Sequence, residues 1–314
     1  MVVAEIYGWR KLLNEKQHVL VTGATGFLGR YLVRFLLKQP DIHPIGVSKK
    51  GGQIGDFRIN RVDLSSSKEV ATWRHDRPTF DSIFHLAAVM PTSFSSVEAE
   101  QSFFDNLHIT QNVVSIAISD KASLIYTSGT SIYGMTENVP LTESTLPRPD
   151  NAYSLAKYVG ELLCDIAYVR YAISTTILRI TAPYGPFQAA HTVINTFLKA
   201  ALENRDLSLF GSGNRTQDFT YVDDVIQALW LAYKKQRTGV YNIAGGQPIT
   251  MRDLAEAVLS VVSGTQSKIT YSDRLDPQEC YRGIFAIQKA RDELGFEPRT
   301  SLPDGLRACL AAKT

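Results

Sequence analysis

The chain is poor in cysteine, in net charge and in long apolar runs. Its three cysteines, Cys164, Cys280 and Cys309, are scattered and odd in number. They form neither a zinc-ligand spacing nor a disulfide framework, which favours a reducing cytoplasm. The formal net charge is +2, so no strong field directs the chain to nucleic acid or to an anionic membrane. No stretch is apolar for long enough to span a bilayer, and Met1 to Gln17 lacks the apolar centre of a signal peptide. That leader carries Trp9, Leu12 and Leu13 among charges and reads as a short helix packed on the domain. Repeats, low-complexity tracts and obvious linkers are missing too. With 314 residues, 44% hydrophobic and 20% charged, the chain can bury the core of one large α/β domain or two joined ones.

What is present is an alternation of strands and helices. Apolar runs predict strands at His18–Thr22, His43–Val47, Phe57–Val62, Ser82–Leu86, Ser123–Thr127 and Ile173–Arg179. Helical spacing falls between them, over Phe27–Lys38, Ser65–Trp73, Val97–Ser119 and from Tyr153 to Tyr171. That order means βαβ units and a parallel, doubly wound sheet of Rossmann type. Beyond Ala182 the rhythm loosens: Pro183–Pro186 reads as a turn, helices follow near Val193–Leu202 and Val222–Tyr233, and Gly239–Ile243 is a strand. The expected division is a dinucleotide-binding domain of residues 1–181 with 218–245, and a smaller interwoven lobe of 182–217 with 246–314.

Two motifs carry chemistry. Gly23-Ala-Thr25-Gly26-Phe27-Leu28-Gly29 follows an apolar strand and opens an amphipathic helix. In that context Gly23 permits a sharp turn, Gly26 lets backbone approach a pyrophosphate, and Gly29 lets helix and strand pack closely. The helix N-terminus then faces the phosphate charge. The second strand ends in Ser48-Lys49-Lys50, with no carboxylate for a ribose 2′-hydroxyl. Two ammonium groups there favour NADP(H), with NAD(H) possible. Asp63 and Leu64 follow the third strand, suited to edge-bond and cover an adenine, and the small side chains of Ala87 and Ala88 after Leu86 leave room for a cofactor. Downstream stands Tyr153-Ser-Leu-Ala-Lys157, whose tyrosine and lysine share one helix face. A nearby ammonium favours the phenolate, so the tyrosine pKa is expected to fall toward working pH and suit a carbonyl/alcohol pair.

These residues together resemble the extended short-chain dehydrogenase/reductase family, in its nucleotide-sugar epimerase, dehydratase and reductase branch. The ordered pieces are GATGFLG at 23–29, DL at 63–64, HLAA at 85–88, SIYG at 131–134, YSLAK at 153–157, PYGP at 183–186, GSGNRTQDFTYVDDV at 211–225, YNIAGG at 241–246 and ELGFEP at 293–298. Asn106, Thr110 and Asn112 fit the family's helix pattern. The resemblance implies that Tyr153 is the general acid/base, that Lys157 holds the nicotinamide ribose, and that Asn106 belongs to the cofactor region. The family's Ser or Thr, four residues before the tyrosine of SIYG, falls on Gly129 here. Ser128, Thr130 and Ser131 stay open as replacements: strand alternation favours Ser131, whereas a bulge at Gly129 favours Ser128 or Thr130. Arg215 and Arg274 are candidate contacts for the nucleotide-sugar diphosphate, with Arg282 a further one.

No carboxylate follows at 130–131, which argues against a 4,6-dehydratase. The reading is therefore an NADP-dependent reductase or dehydrogenase of a nucleotide-linked sugar, with a 4-epimerase that retains its cofactor as the alternative. A cofactor-sensing protein without turnover is a third class, opposed by the retained Tyr153 and Lys157. The resemblance also implies a homodimer through the helices at Val97–Ser119 and Tyr153–Tyr171, whose surplus apolar residues include Phe103, Phe104, Val113, Val114, Leu162, Leu163, Ile166 and Val169.

Overall fold

A computed structural model describes residues 16–91, 97–135 and 140–313. The expected leader helix, with Trp9, Leu12 and Leu13, lies outside the described residues. The strands are β1 (Gln17–Thr22), β2 (Ile42–Ser48), β3 (Gly52–Ile54), β4 (Phe57–Arg61), β5 (Ser82–His85), β6 (Ser123–Gly129) and β7 (Thr175–Ile180). Beyond them lie β8 (Pro183–Tyr184), β9 (Leu207–Leu209), β10 (Thr216–Gln217), β11 (Thr220–Tyr221), β12 (Gly239–Ile243), β13 (Ile249–Thr250) and β14 (Ile269–Tyr271).

The main sheet has eight strands in the order β12-β7-β6-β5-β1-β2-β4-β3. β1 pairs in parallel with β2 and β5, β2 with β4, and β5 with β6. This is the expected Rossmann-type sheet. Two local features were not anticipated. β3 pairs antiparallel with β4 as a short hairpin, with Gly51, Gly52 and Gly55 all at positive φ around it. Pro183–Tyr184, expected as a turn, is instead a strand paired in parallel with β11.

By contact the chain divides into two compact units. The first comprises Met1–Thr127, Asn151–Ile177 and Ala232–Gly239. Its centre is β1, where Val19, Leu20 and Val21 are wholly buried, as a strand covered on both faces requires. The helix Phe27–Leu36 buries Leu32, Val33 and Leu36 against the sheet, each worth about 1.5–3 kcal/mol. The helices Val97–Asp120 and Ala152–Tyr171 pack on one another. Val113 and Val114, expected on an outward face, lie in the core, so the first of these helices is buried on more than one side. Phe104, Leu162, Ile166 and Val169 are exposed.

The second unit comprises Ser128–Asp150, Leu178–Leu231 and Val240–Thr314. Its core gathers Tyr184, Ile194, Leu198, Leu254, Val258 and Leu306 from three helices and β8. Among the described residues no helix is long and apolar enough to cross a membrane.

Candidate active site

In the first unit, the segments after β1, β2 and β5 converge. Gly23 has φ +67°, and a Cβ there would stand 2.8 Å from the Ala87 nitrogen. A Cβ on Gly29 would run into the Gly23 carbonyl oxygen. Both positions therefore demand glycine, one for its turn and one for close packing. Gly26 is the N-cap of the Phe27–Leu36 helix and offers no side-chain cap, so the first helical N–H groups remain available to an anion. Thr25 lies beside the β2–β3 turn: a Cβ on Gly52 would be 3.3 Å from its methyl group. Phe27 and Leu28 are half-buried at the helix start. This cradle fits a dinucleotide pyrophosphate.

The end of β2 differs from expectation in one respect. The Lys49 ammonium does not stand alone but pairs with Asp63 at 2.8 Å. That bond raises the lysine pKa. Partial burial pushes the Asp63 carboxyl upward, but the bonds from Lys49 and Ser65 outweigh it, and the net shift is down. The pairing follows from register: Ser48 lies opposite Arg61, which brings the residues just beyond the two strands together. Ser48 is buried, and its hydroxyl has no hydrogen-bond partner among the described residues. Lys50 is exposed, and Leu64 is buried in the core.

The helix Val97–Asp120 secures the loops around this cradle. Asn106 accepts from the Val89 nitrogen at 2.8 Å and donates to the Val89 oxygen at 2.9 Å, clamping the loop that carries Leu86, Ala87 and Ala88. Asn112 donates to the Leu64 oxygen at 2.8 Å. Thr110 meets the Nε2 of His85 at 3.2 Å. Thr22, His85, Thr110 and Tyr126 were not anticipated as functional. His85 sits inside a quoted motif, but its partners lie 63 and 25 residues away in sequence.

Tyr153 and Lys157 occupy the first turns of the Ala152–Tyr171 helix. Asn151 starts that helix with a reciprocal cap: its side chain accepts from the Ser154 nitrogen at 2.9 Å, and the Ser154 hydroxyl answers the Asn151 nitrogen. Such a cap is worth about 1 kcal/mol. Lys157 is buried, and its Nζ donates to the Thr127 oxygen at 2.9 Å. It stands 5.9 Å from the centre of the Tyr153 ring and 5.1 Å from that of Tyr126. Burial pushes the Tyr153 phenol up to about 12, opposite to the expected fall. Burial also lowers Lys157 to about 8, with Glu161 and Cys164 opposing that shift. Desolvation is thus the cause of the shift at Tyr153 and outweighs the neighbouring charges at Lys157.

The second unit holds the remaining predicted residues. β6 ends at Gly129 with φ −136° and ψ 152°, plain extended backbone without a bulge. A short helical turn, Thr130–Tyr133, follows. Ser128 and Thr130 are buried and Ser131 is exposed. A Cβ on Gly129 would meet the Ser131 Oγ at 3.6 Å. Tyr133 anchors the turn, donating to the Asn242 Oδ1 at 2.7 Å and accepting from Arg179 at 2.9 Å. Arg215 is already engaged, donating to Gln278 at 2.8 Å beside Asp276 at 3.5 Å. Arg274 lies over the Phe210 ring at 4.8 Å, and Arg282 donates to the Glu279 and Tyr281 oxygens.

Comparison with known proteins places this geometry. The profile of the NAD dependent epimerase/dehydratase family matches residues 19–244. The chain belongs to that family. It is an enzyme family, and the chain falls in the extended short-chain dehydrogenase/reductase branch with nucleotide-sugar epimerase and dehydratase homologues. A dTDP-glucose 4,6-dehydratase of Streptomyces griseus is 28% identical over 94% of this chain and 93% of its own length. A UDP-glucose 4-epimerase of Thermotoga maritima, solved with UDP-glucose, is 25% identical with a TM-score of 0.87, covering 95% of this chain and 98% of that one. A UDP-glucuronic acid 4-epimerase of Bacillus cereus, solved with UDP-glucuronic acid and NAD, is 28% identical with a TM-score of 0.84, covering 94% and 98%.

Proposed function

We propose that this family member is a nucleotide-sugar 4-epimerase that retains NAD and works through Tyr153 and Lys157. The observation that carries the reading is the pair itself: a desolvated phenol with a buried, anchored ammonium 5.9 Å from its ring, on a capped helix. The similarity to two 4-epimerases, one solved with NAD, supports it. The alternative is an NADPH-dependent reductase, which the exposed Lys50 and the absence of an acid at Ser48 favour. The Lys49–Asp63 pair weakens that alternative, because one of the two ammonium groups expected to attract a 2′-phosphate already neutralises a carboxylate.

In this reading the turn from Gly23 to Gly29 takes the pyrophosphate, and the Ser48–Lys50 segment the adenosine ribose. Leu86, Ala87 and Ala88 line the cofactor region. Bound there, NAD supplies the acceptor and donor of hydride. Tyr153 takes and returns the proton of the sugar hydroxyl. Lys157 orders the nicotinamide ribose and, as a cation, stabilises the phenolate when it forms. Among the three open hydroxyls the reading selects Ser131 as donor to the reacting oxygen. It is exposed and borders the space that Gly129 leaves, while Ser128 and Thr130 are buried. Residues 182–217 with 246–314 supply the nucleotide-sugar contacts, Arg274 among them; Arg215 contributes once it exchanges Gln278 for a phosphate. A homodimer through the exposed Phe104, Leu162, Ile166 and Val169 completes the proposal, and light scattering at micromolar concentration should give twice the chain mass.

The test is to denature the purified protein, identify the released nucleotide, and follow UDP-glucose, UDP-glucuronic acid and dTDP-glucose by chromatography. Released NAD, with conversion that needs no added reductant, is expected. Conversion that consumes NADPH in proportion to product overturns epimerisation in favour of the reductase. No conversion of any sugar nucleotide overturns both.

A further inference from the structure

A chain of buried hydrogen bonds runs behind Lys157, and its direction is fixed by what each group can donate. The Thr22 Oγ1 accepts from the Leu86 and Ala87 nitrogens, both at 3.1 Å. Its own hydrogen is left for the Nδ1 of His85, 2.9 Å away. His85 is then the tautomer with its proton on Nε2, which donates to the Thr110 Oγ1 at 3.2 Å. Beside this run the Tyr126 ring lies against His85, with centroids 5.4 Å apart, and its hydroxyl donates to the carbonyl oxygen of Lys157 at 3.2 Å. Tyr126 also lies directly under the lysine helix, where a Cβ on Gly160 would strike its hydroxyl. The residue after Tyr126 closes the arrangement: the Thr127 oxygen holds the lysine Nζ, and the Thr127 hydroxyl donates to the His85 oxygen at 2.9 Å.

We infer that Thr22, His85, Thr110 and Tyr126 form a positioning chain that ties the strand end opening the glycine turn to the helical turn carrying Lys157. None of these groups exchanges a proton in the reaction. Thr22 and His85 each accept one hydrogen bond and donate the next, and the Tyr126 ring packed on His85 donates to the Lys157 carbonyl, so an uncharged imidazole is the state that completes the arrangement. A second proton on Nδ1 would face the Thr22 hydroxyl donor and break it. The catalytic importance of Lys157 rests on the reading above, but the positioning itself does not, and it can be measured without turnover.

The experiment compares the rate at which amine-reactive reagent labels Lys157 with the rates at Lys49 and Lys50, read by peptide mass spectrometry on the full chain. In the wild type Lys157 should be protected. Tyr126→Phe keeps the ring but deletes the donor to the Lys157 carbonyl, and Thr110→Val removes the acceptor of the His85 proton, on whose ring Tyr126 packs. Each should raise Lys157 labelling about ten-fold, the ratio that loss of one buried hydrogen bond produces, with Lys49 and Lys50 unchanged. Thr110→Ser should restore protection. Val33→Ala, a core truncation in the same unit, controls for general loosening. Unaltered Lys157 labelling in Tyr126→Phe, or an equal rise in Val33→Ala, overturns the inference. Failure of wild-type protein to convert any sugar nucleotide would overturn the proposed reaction and leave this measurement standing.

Discussion

Two buried polar devices, one in each unit, work in different ways. In the first, an interior group of neutral side chains, two threonines, a histidine and a tyrosine, reaches the Lys157 carbonyl, while the Lys157 ammonium is held by the Thr127 oxygen. In the second, buried carboxylates clamp turns. Asp218 accepts from the Gly245 and Gly246 nitrogens at 2.7 and 3.0 Å, and Asp224 from the Arg299 and Thr300 nitrogens at 3.0 and 3.1 Å. Both devices satisfy buried backbone or side-chain donors, as burial demands. They differ in the sign of their pH dependence: burial favours the uncharged imidazole of His85, whose contribution is lost as pH falls, and the protonated carboxyl of Asp218, whose contribution is lost as pH rises. The first places a reactive charge, and the second fixes the shape of loops.

The largest expected effect falls on the buried ammonium of Lys157 in the first unit. Lys157→Met should reduce turnover by about 10²–10⁴ and weaken NAD binding as well, measured by steady-state kinetics beside calorimetry. Because burial holds Lys157 near 8, wild-type turnover should fall as pH rises above about 8 and the charge is lost. A flat alkaline limb would break the claim that the ammonium is needed.

Next in size is the hydroxyl question in the second unit. Ser131→Ala should lower turnover by about 10² while leaving nucleotide-sugar binding intact, and Ser128→Ala should be mild. Gly129 is extended and a Cβ there would meet only the Ser131 Oγ, at an ordinary 3.6 Å, so Gly129→Ser in the Ser131→Ala background should recover activity. A hundredfold loss in Ser128→Ala instead would reassign the role.

Smaller, but most pointed for the comparison, are the pH dependences of stability. Burial first, and then the Lys157 charge, lower His85 from 6.5 to about 3. A folded pKa below the unfolded one keeps its full stability above pH 6.5 and loses it as pH falls toward 3. Asp218 runs the other way: burial raises it from 3.8 to about 6 against the pull of its backbone donors. Its contribution is fullest below pH 3.8 and is lost as pH rises through 6. His85→Gln should therefore flatten the acid-side fall in melting temperature, and Asp218→Asn should steepen it. The same slope change in both variants would erase the distinction between the units.

How far these features could be read from sequence depends on how local they are. β1, the glycine turn, the Val193–Leu202 helix and the Gly239–Ile243 strand all lay where apolar periodicity put them, because each is set by its own residues. The same holds for Tyr153 and Lys157, one helical turn apart. Lys49 looked free because its partner, Asp63, is supplied by strand register rather than by neighbours in the chain. Arg215 looked available because Asp276 and Gln278 come from a distant segment. Val113 and Val114 looked surplus because a helix covered on several sides carries more apolar residues than one stripe. The expected depression of the Tyr153 pKa considered a nearby charge without the cost of burial, and burial is the larger effect.

The central claim is that Tyr153 moves the proton of a sugar hydroxyl. Tyr153→Phe removes one oxygen from a half-buried ring and leaves its packing in place. The direct measurement is turnover of a converted sugar nucleotide beside calorimetric binding of NAD and of that nucleotide. The account predicts binding close to wild type with turnover reduced by about 10²–10⁴; near-normal turnover in Tyr153→Phe would contradict it.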